Sequence, residues 1–166
     1  MAIGFMEVQL VKAKGLCDTD FFGSMDPYVV IQYNGQERRS SVAKGYEGKK
    51  WFNGSYDNAG QGNNPVWNEK FEFKVEYPTP SNSYKVILKI MDKDSLSADD
   101  FVGQAIVYVE DLLAIGVGDG AAELQPLKYR VIREDQSYCG EIDVGITFKV
   151  EEEFNGETKR GRKDSN

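Results

Sequence analysis

Seven short stretches of this 166-residue chain are largely apolar or alternate apolar and polar side chains, and a period of two leaves little but a sheet to fold into. The clearest is 140–150, where Ile142, Val144, Ile146, Phe148 and Val150 fall on one side. Residues 6–11 alternate in the same way, as do 67–75 with Phe71, Phe73 and Val75 and 84–91 with Tyr84, Val86, Leu88 and Ile90. Residues 28–33 are apolar on both faces, and Asn34-Gly35 then supplies the positive φ pair of a tight hairpin before a strand over 38–43. Runs at 101–109 and 127–132 complete the set, and Pro78 and Pro80 mark a turn. One short helix is predicted over 110–115, with acids at its start and Gly116 as its stop. These patterns predict an all-β chain, an eight-stranded antiparallel β-sandwich over residues 1–150, followed by a polar, disordered tail over 151–166.

Composition bounds what such a sandwich does. One domain is the natural count for this length, and 40 % hydrophobic with 12 % aromatic residues is enough for a core. There is no run of 18 apolar residues and no leader with a basic start and a long apolar centre, so a soluble, cytoplasmic chain is expected. In that setting Cys17 and Cys139, far apart and unpatterned, are expected to be reduced thiols, and the sequon at Asn53 is expected to go unused. The chain has no His, which removes His-based triads and acid–base chemistry. Gly116-Val117-Gly118-Asp119-Gly120 lacks the Gly-Lys-Ser/Thr ending of a phosphate loop, so no enzyme is expected. With 20 basic against 27 acidic residues the net charge is −7, which repels nucleic acid and anionic lipid alike unless something alters it.

Two acidic segments offer that something. Asp20 and Asp26 bracket the segment after the first strand, and Asp92, Asp94 and Asp100 span the one after the fifth. If strands run alternately up and down, the connections after the first, third and fifth strands share one end, so the long connection over 44–63 belongs there too. Two carboxylates about 4 Å apart at an effective dielectric near 20 repel by roughly 4 kcal/mol, so five together call for a multivalent cation or for protonation. Hard oxygens on loops, without His or paired Cys, select Ca²⁺. An EF-hand does not fit: counted from Asp92, the sixth position is Ser97 where Gly is needed and the twelfth is Gly103 where Glu is needed. Acidic loop residues are also ordinary solvated turn formers, and that reading stays open for either segment alone.

The two segments together resemble the C2 domain, a calcium- and phospholipid-binding β-sandwich. The likeness rests on Asp20 and, six residues on, Asp26 within Ser24-Met25-Asp26-Pro27-Tyr28-Val29. It rests also on Asn64-Pro65-Val66-Trp67-Asn68-Glu69, and on Asp92, Asp94 and Asp100 ahead of Phe101-Val102-Gly103. The resemblance implies two or three Ca²⁺ held by Asp20, Asp26, Asp92, Asp94 and Asp100, with a main-chain oxygen at Lys93 and a minor ligand at Ser97. It implies the permutation in which the first strand leads directly into the first calcium loop. Met25 departs from the family, which often has Ser there. Phe21, Phe22 and Leu96, flanked by the ligands, are expected to project outward into a membrane. Lys49 and Lys50 beside Trp51 and Phe52 suit a second contact in the 44–63 insertion. Arg38, Arg39, Lys70 and Lys74 form a candidate head-group patch, as in C2 relatives. Ser40-Ser41-Val42-Ala43, Asn68-Glu69-Lys70-Phe71, Tyr138-Cys139-Gly140-Glu141-Ile142 and Val144-Gly145-Ile146-Thr147-Phe148 resemble small single-domain plant C2 proteins, the elicitor-responsive and phloem RNA-transport groups. The implied function is calcium-dependent docking of a monomer on anionic phospholipid at the plasma membrane in defence or stress signalling. The alternatives are an RNA-binding, cell-to-cell transport protein or a protein-binding adaptor.

Overall fold

A computed structural model describes residues 1–18, 25–43, 62–94 and 96–151. Strand β1 (Ala2–Lys14) lies between β4 (Val66–Tyr77) and β8 (Tyr138–Val150), antiparallel to both, and buries Met6, Val8 and Leu10 completely. β7 (Ala121–Ile132) extends this half beyond β8. The other half runs β3 (Gln36–Arg39), β2 (Pro27–Tyr33), β5 (Lys85–Asp92), β6 (Asp100–Tyr108), again antiparallel throughout. β6 and β7 meet at one pair, Gln104 and Ile132, so the order β3-β2-β5-β6-β7-β8-β1-β4 folds over as two layers. Side chains close the opposite seam: Gln36 Nε2 donates to the Lys74 carbonyl at 2.7 Å, and the Lys74 amide donates to Gln36 Oε1 at 2.9 Å. Below them the Ser41 amide and hydroxyl donate to Glu69. The result is an all-β, nearly closed sandwich with Phe73, Val75, Leu88, Ile90, Ile142 and Phe148 in its core. Each such side chain contributes about 1.5 to 3 kcal/mol when fully buried. Among the described residues no helix is long and apolar enough to cross a membrane.

The expected strands are present, with three differences that have physical causes. β3 ends at Arg39 rather than at 43 because Ser40 substitutes its hydroxyl for a ladder acceptor: the Ser40 amide donates to the Val29 carbonyl at 2.8 Å, but the Val29 amide donates back to Ser40 Oγ at 2.8 Å, and Ala43 then donates to the Pro27 carbonyl. Helix α1 (Glu110–Asp119) runs past Gly116, where a Cβ would lie 2.4 Å from Phe148 Cδ1, and stops at Gly120 with φ +89°. Gly116 is therefore a close-packing position and not a terminator. β7 starts at Ala121 rather than 127 because Pro126 sits at a bulge, over Gly145, where its missing N–H costs no ladder bond.

Alternation of strand direction brings the ends of β1, β3, β5 and β7 to one pole. There Cys17 and Cys139 are joined as a disulfide with Cα atoms 5.9 Å apart, which corrects the expectation of two reduced thiols. A separation of 122 residues vanishes in space because β8 runs beside β1. Gly140, with φ +86°, lets the backbones touch, since a Cβ there would meet the Lys14 carbonyl oxygen at 2.7 Å. A native disulfide typically contributes about 2 to 4 kcal/mol. Reduction, or Cys139→Ser, should lower the melting temperature by about 4 to 16 °C for a domain of this size. Calorimetry with and without reductant measures it, and alkylation of both cysteines in denaturant without reductant would overturn the bond.

Candidate metal centre

The two acidic segments are joined at their bases. β2 pairs with β5 so that Pro27 stands opposite Asp92, and just beyond that pair the strands clasp each other. The Asp26 amide donates to Asp92 Oδ1 at 2.8 Å, and the Lys93 amide donates to the Asp26 carbonyl at 3.0 Å. Asp92 is 2 % exposed although it is an acid, whereas Asp26 is exposed. Met25, the departure from the family pattern, is fully buried and anchors the segment from within. An Ala or Ser there would leave a hole in the core.

The segment after β5 is organised by its own carboxylates. Asp94 accepts from the Leu96 amide at 2.9 Å and from the Ser97 hydroxyl at 2.7 Å, a local turn that fixes both oxygens. Asp99, which sequence reading passed over, accepts from the Asp94 amide at 3.0 Å and from the Tyr28 hydroxyl. Its doublet with Asp100 was the only signal, and a second acid in a loop reads as a solvated one. Asp100 opens β6, paired with Asp92 across the strands. Leu96 is 95 % exposed, as expected of a tip residue.

Oxygen donors alone, from Asp26, Asp92, Asp94, Asp100 and the Lys93 carbonyl, suit a hard cation such as Ca²⁺. The clasp brings Asp26 and Asp92 together, yet among the described residues no three acidic side chains converge closely enough to hold one ion. Asp20, Phe21 and Phe22 lie outside the described residues, as do Lys49, Lys50, Trp51 and Phe52.

The candidate head-group residues lie on the two strands that Gln36 bridges, Arg38 and Arg39 on β3 and Lys70 and Lys74 on β4, with the adjacent Arg38 and Arg39 directed to opposite faces of their strand. They are partly engaged there. Arg38 lies over Phe73 at 5.2 Å, Arg39 over Tyr28 at 4.0 Å, and Lys70 is 3.8 Å from Glu7.

Hydrogen bonding sets the titration of this pole. The Ser97 hydroxyl, followed by the Leu96 amide, holds Asp94 below the ordinary carboxylate range. Asp99 is lowered first by the Tyr28 hydroxyl and then by the Asp94 amide. Tyr28 itself is raised by burial and by that bond. For a lowered carboxylate the stabilisation is in place at neutral pH and is lost as pH falls through the lowered value. Carboxyl carbon NMR should show Asp94 and Asp99 titrating below the ordinary carboxylate range. Ser97→Ala should return Asp94 towards the ordinary range and leave Asp99 where it is.

The C2 domain family profile matches residues 4–124. A 16 kDa phloem protein 1 of Arabidopsis thaliana is 44 % identical over 150 residues, covering 90 % of this chain and 87 % of its own length. Elicitor-responsive protein 1 of Oryza sativa subsp. japonica is 43 % identical over 148 residues, covering 87 % and 84 %. A solved C2 domain-containing protein from an elicitor-responsive gene superposes with a TM-score of 0.65 at 35 % identity, covering 93 % of this chain and 95 % of that one. The C2A domain of plant Extended Synaptotagmin 1 does so with 0.60 at 19 % identity, covering 91 % and 98 %, a likeness of fold alone. None of these names denotes an enzyme. With its profile, its small plant relatives and its two-layered strand order in agreement, this chain belongs to the C2 domain family.

Proposed function

We propose that this chain is a calcium-dependent module that docks on anionic phospholipid membranes in plant defence or stress signalling, with no catalysis of its own. The observation that carries the reading is the clasp of Asp26 on Asp92 and Lys93, which seats two acidic segments side by side at one pole. In this reading Asp20, Asp26, Asp92, Asp94, Asp100, the Lys93 carbonyl and, as a minor ligand, Ser97 hold two or three Ca²⁺. What the ions supply is charge: two of them bring a net −7 to −3, all of the change at one end. The chain's residues do the rest. Leu96, almost wholly exposed, enters the interface once the surrounding field is cancelled, and Phe21 and Phe22 act with it. Lys49, Lys50, Trp51 and Phe52 make a second contact, and the protein shuttles as a monomer between cytoplasm and plasma membrane.

Relatives named as phloem proteins, together with the resemblance to the phloem RNA-transport group, favour one second reading, a transport protein that binds RNA. The net charge opposes it, since a chain at −7 is repelled by a polyanion. Salt-dependent RNA binding in the absence of calcium would support that reading over the first. Capture of a protein partner on the sandwich faces, without lipid or RNA, would support an adaptor.

The first reading is tested by sedimentation with phosphatidylserine vesicles, with and without calcium. Asp92→Asn with Asp94→Asn keeps an oxygen for the Asp26 and Leu96 amides while removing two charges. It should abolish docking and leave the β-rich circular dichroism unchanged. Leu96→Ser should weaken docking about ten-fold or more, from about 1.5 to 3 kcal/mol of lost apolar burial, with calcium affinity in solution unchanged. Binding that ignores calcium would overturn the proposal.

A further inference from the structure

Where β3 ends the chain runs Arg38-Arg39-Ser40-Ser41-Val42, and the fold treats the two serines differently. Ser40 is 5 % exposed, and its hydroxyl is held on both sides: the Val29 amide donates to it at 2.8 Å, and it donates to the Ser41 carbonyl at 2.8 Å. Ser41 is exposed. Its hydroxyl and its amide both donate to the Glu69 carboxylate, the amide at 3.0 Å to Oε1 and 3.4 Å to Oε2. Together with the two bonds between Gln36 and Lys74, these close the seam between the β3 side and β4.

An exposed hydroxyl that follows one arginine by three residues and another by two, with an apolar residue next, is what an Arg-directed protein kinase selects. The acidic substrate groove of such a kinase takes an extended segment and reads the guanidiniums ahead of the acceptor. This segment is already extended through Arg39, and β3 is an edge of four residues paired with β2 alone. The arginines are exposed and held by surface contacts, which are weak. Arg38 covers Phe73 and donates to the Glu37 carbonyl at 2.9 Å, while Arg39 covers Tyr28 and stands 3.9 Å from Asp99. A kinase can therefore engage both without disturbing a central strand.

We propose that Ser41 is a phosphorylation site for an Arg-directed protein kinase, and that the phosphate opens the seam at Glu69. In the transfer Ser41 Oγ attacks the γ-phosphorus of ATP: an Oγ–P bond forms, the bond from that phosphorus to the β,γ-bridging oxygen breaks, and ADP leaves. The hydroxyl proton passes to the catalytic carboxylate of the kinase. The product has lost the hydroxyl donor and carries close to two negative charges beside the carboxylate of Glu69, so attraction becomes repulsion. Of the bonds that close the seam, those between Gln36 and Lys74 then remain. The proposal rests on neither the ion binding nor the lipid binding proposed above.

The test treats the full chain with ATP and the catalytic subunit of cyclic-AMP-dependent kinase, and maps the phosphate by mass spectrometry. The wild type should take up phosphate at Ser41 and Ser41→Ala should lose it there. Arg38→Gln and Arg39→Gln should each lower kcat/KM at Ser41 about ten-fold or more. No phosphate at Ser41 of the folded chain would overturn the site, whether or not a peptide of residues 36–43 accepts it, as would phosphate on Ser40 instead. Melting then tests the seam. Phosphorylation should lower the melting temperature by about 3 to 12 °C. The drop should be less than half as large in Glu69→Gln, which keeps an acceptor for Ser41 and removes the like charge. An equal drop in both backgrounds would overturn the part given to Glu69, and a rise in melting temperature, with the phosphate captured by Arg38 or Arg39, would overturn the opening of the seam.

Discussion

The Asp26 amide reaching Asp92 and the Lys93 amide reaching the Asp26 carbonyl form the constraint on which the working end depends. Strand pairing alone would bring β2 and β5 to the same height and stop there, leaving two acidic segments to splay apart under their mutual repulsion. The clasp opposes that with a charge-assisted bond, worth about 1.5 to 3 kcal/mol, aimed at the buried acid of the set. Met25, the residue before Asp26, anchors the chain there by being fully buried in the core. Asp92 is thus both a part of the scaffold and a part of the acidic pole. Its amide counterpart keeps the first role and drops half of the second.

Much of this was legible in the sequence, and what was not had a common cause. The alternation in 6–11, 84–91 and 140–150 gave strands and their buried faces, since Met6, Val8, Leu10, Val86, Leu88, Ile90, Ile142, Val144, Ile146 and Phe148 are the residues packed inside. Asn34-Gly35 gave the hairpin, and both residues have positive φ. Spacing also gave Asp26, Asp92, Asp94 and Asp100 as a set at one pole, though their closing on one ion needs more than the described residues supply. The unread features all depend on a partner distant in the chain. Gly116 ended the predicted helix because nothing local reveals that Phe148 lies on it. Cys17 and Cys139 looked unrelated because β8 returns to β1 only in the folded topology. Asp99 had no visible role until Tyr28 and Arg39, from the other edge of the layer, came to face it.

That same side carries a second economy of construction. A sandwich with two free edges invites further strands to pair with it. Here β3 is short, Gln36 presents its amide to the backbone of Lys74 as a strand would, and Glu69 takes both donors of Ser41. The seam is sealed by side chains, which satisfy the backbone of Lys74 and the amide of Ser41 and leave the arginines of β3 displayed on aromatic rings. Basic groups on this seam and acidic groups on the adjoining pole are therefore rigidly spaced, and Asp99 is where the two fields meet.

An acidic pole still has to fold before any cation arrives, and the backbone makes this feasible. Three amides point at three carboxylates: Asp26 at Asp92, Leu96 at Asp94, and Asp94 at Asp99. Each places a partial positive charge where the repulsion is strongest, and none requires a mobile counter-ion. The lowered titration of Asp94 and Asp99 has the same origin, because donors that favour the ionised form are fixed in place by the loop itself. Such a pole holds its charge and its shape in the ion-free state. A cation held there would find both Asp94 oxygens already engaged, by the Leu96 amide and the Ser97 hydroxyl, and would have to displace those donors to be ligated by those oxygens.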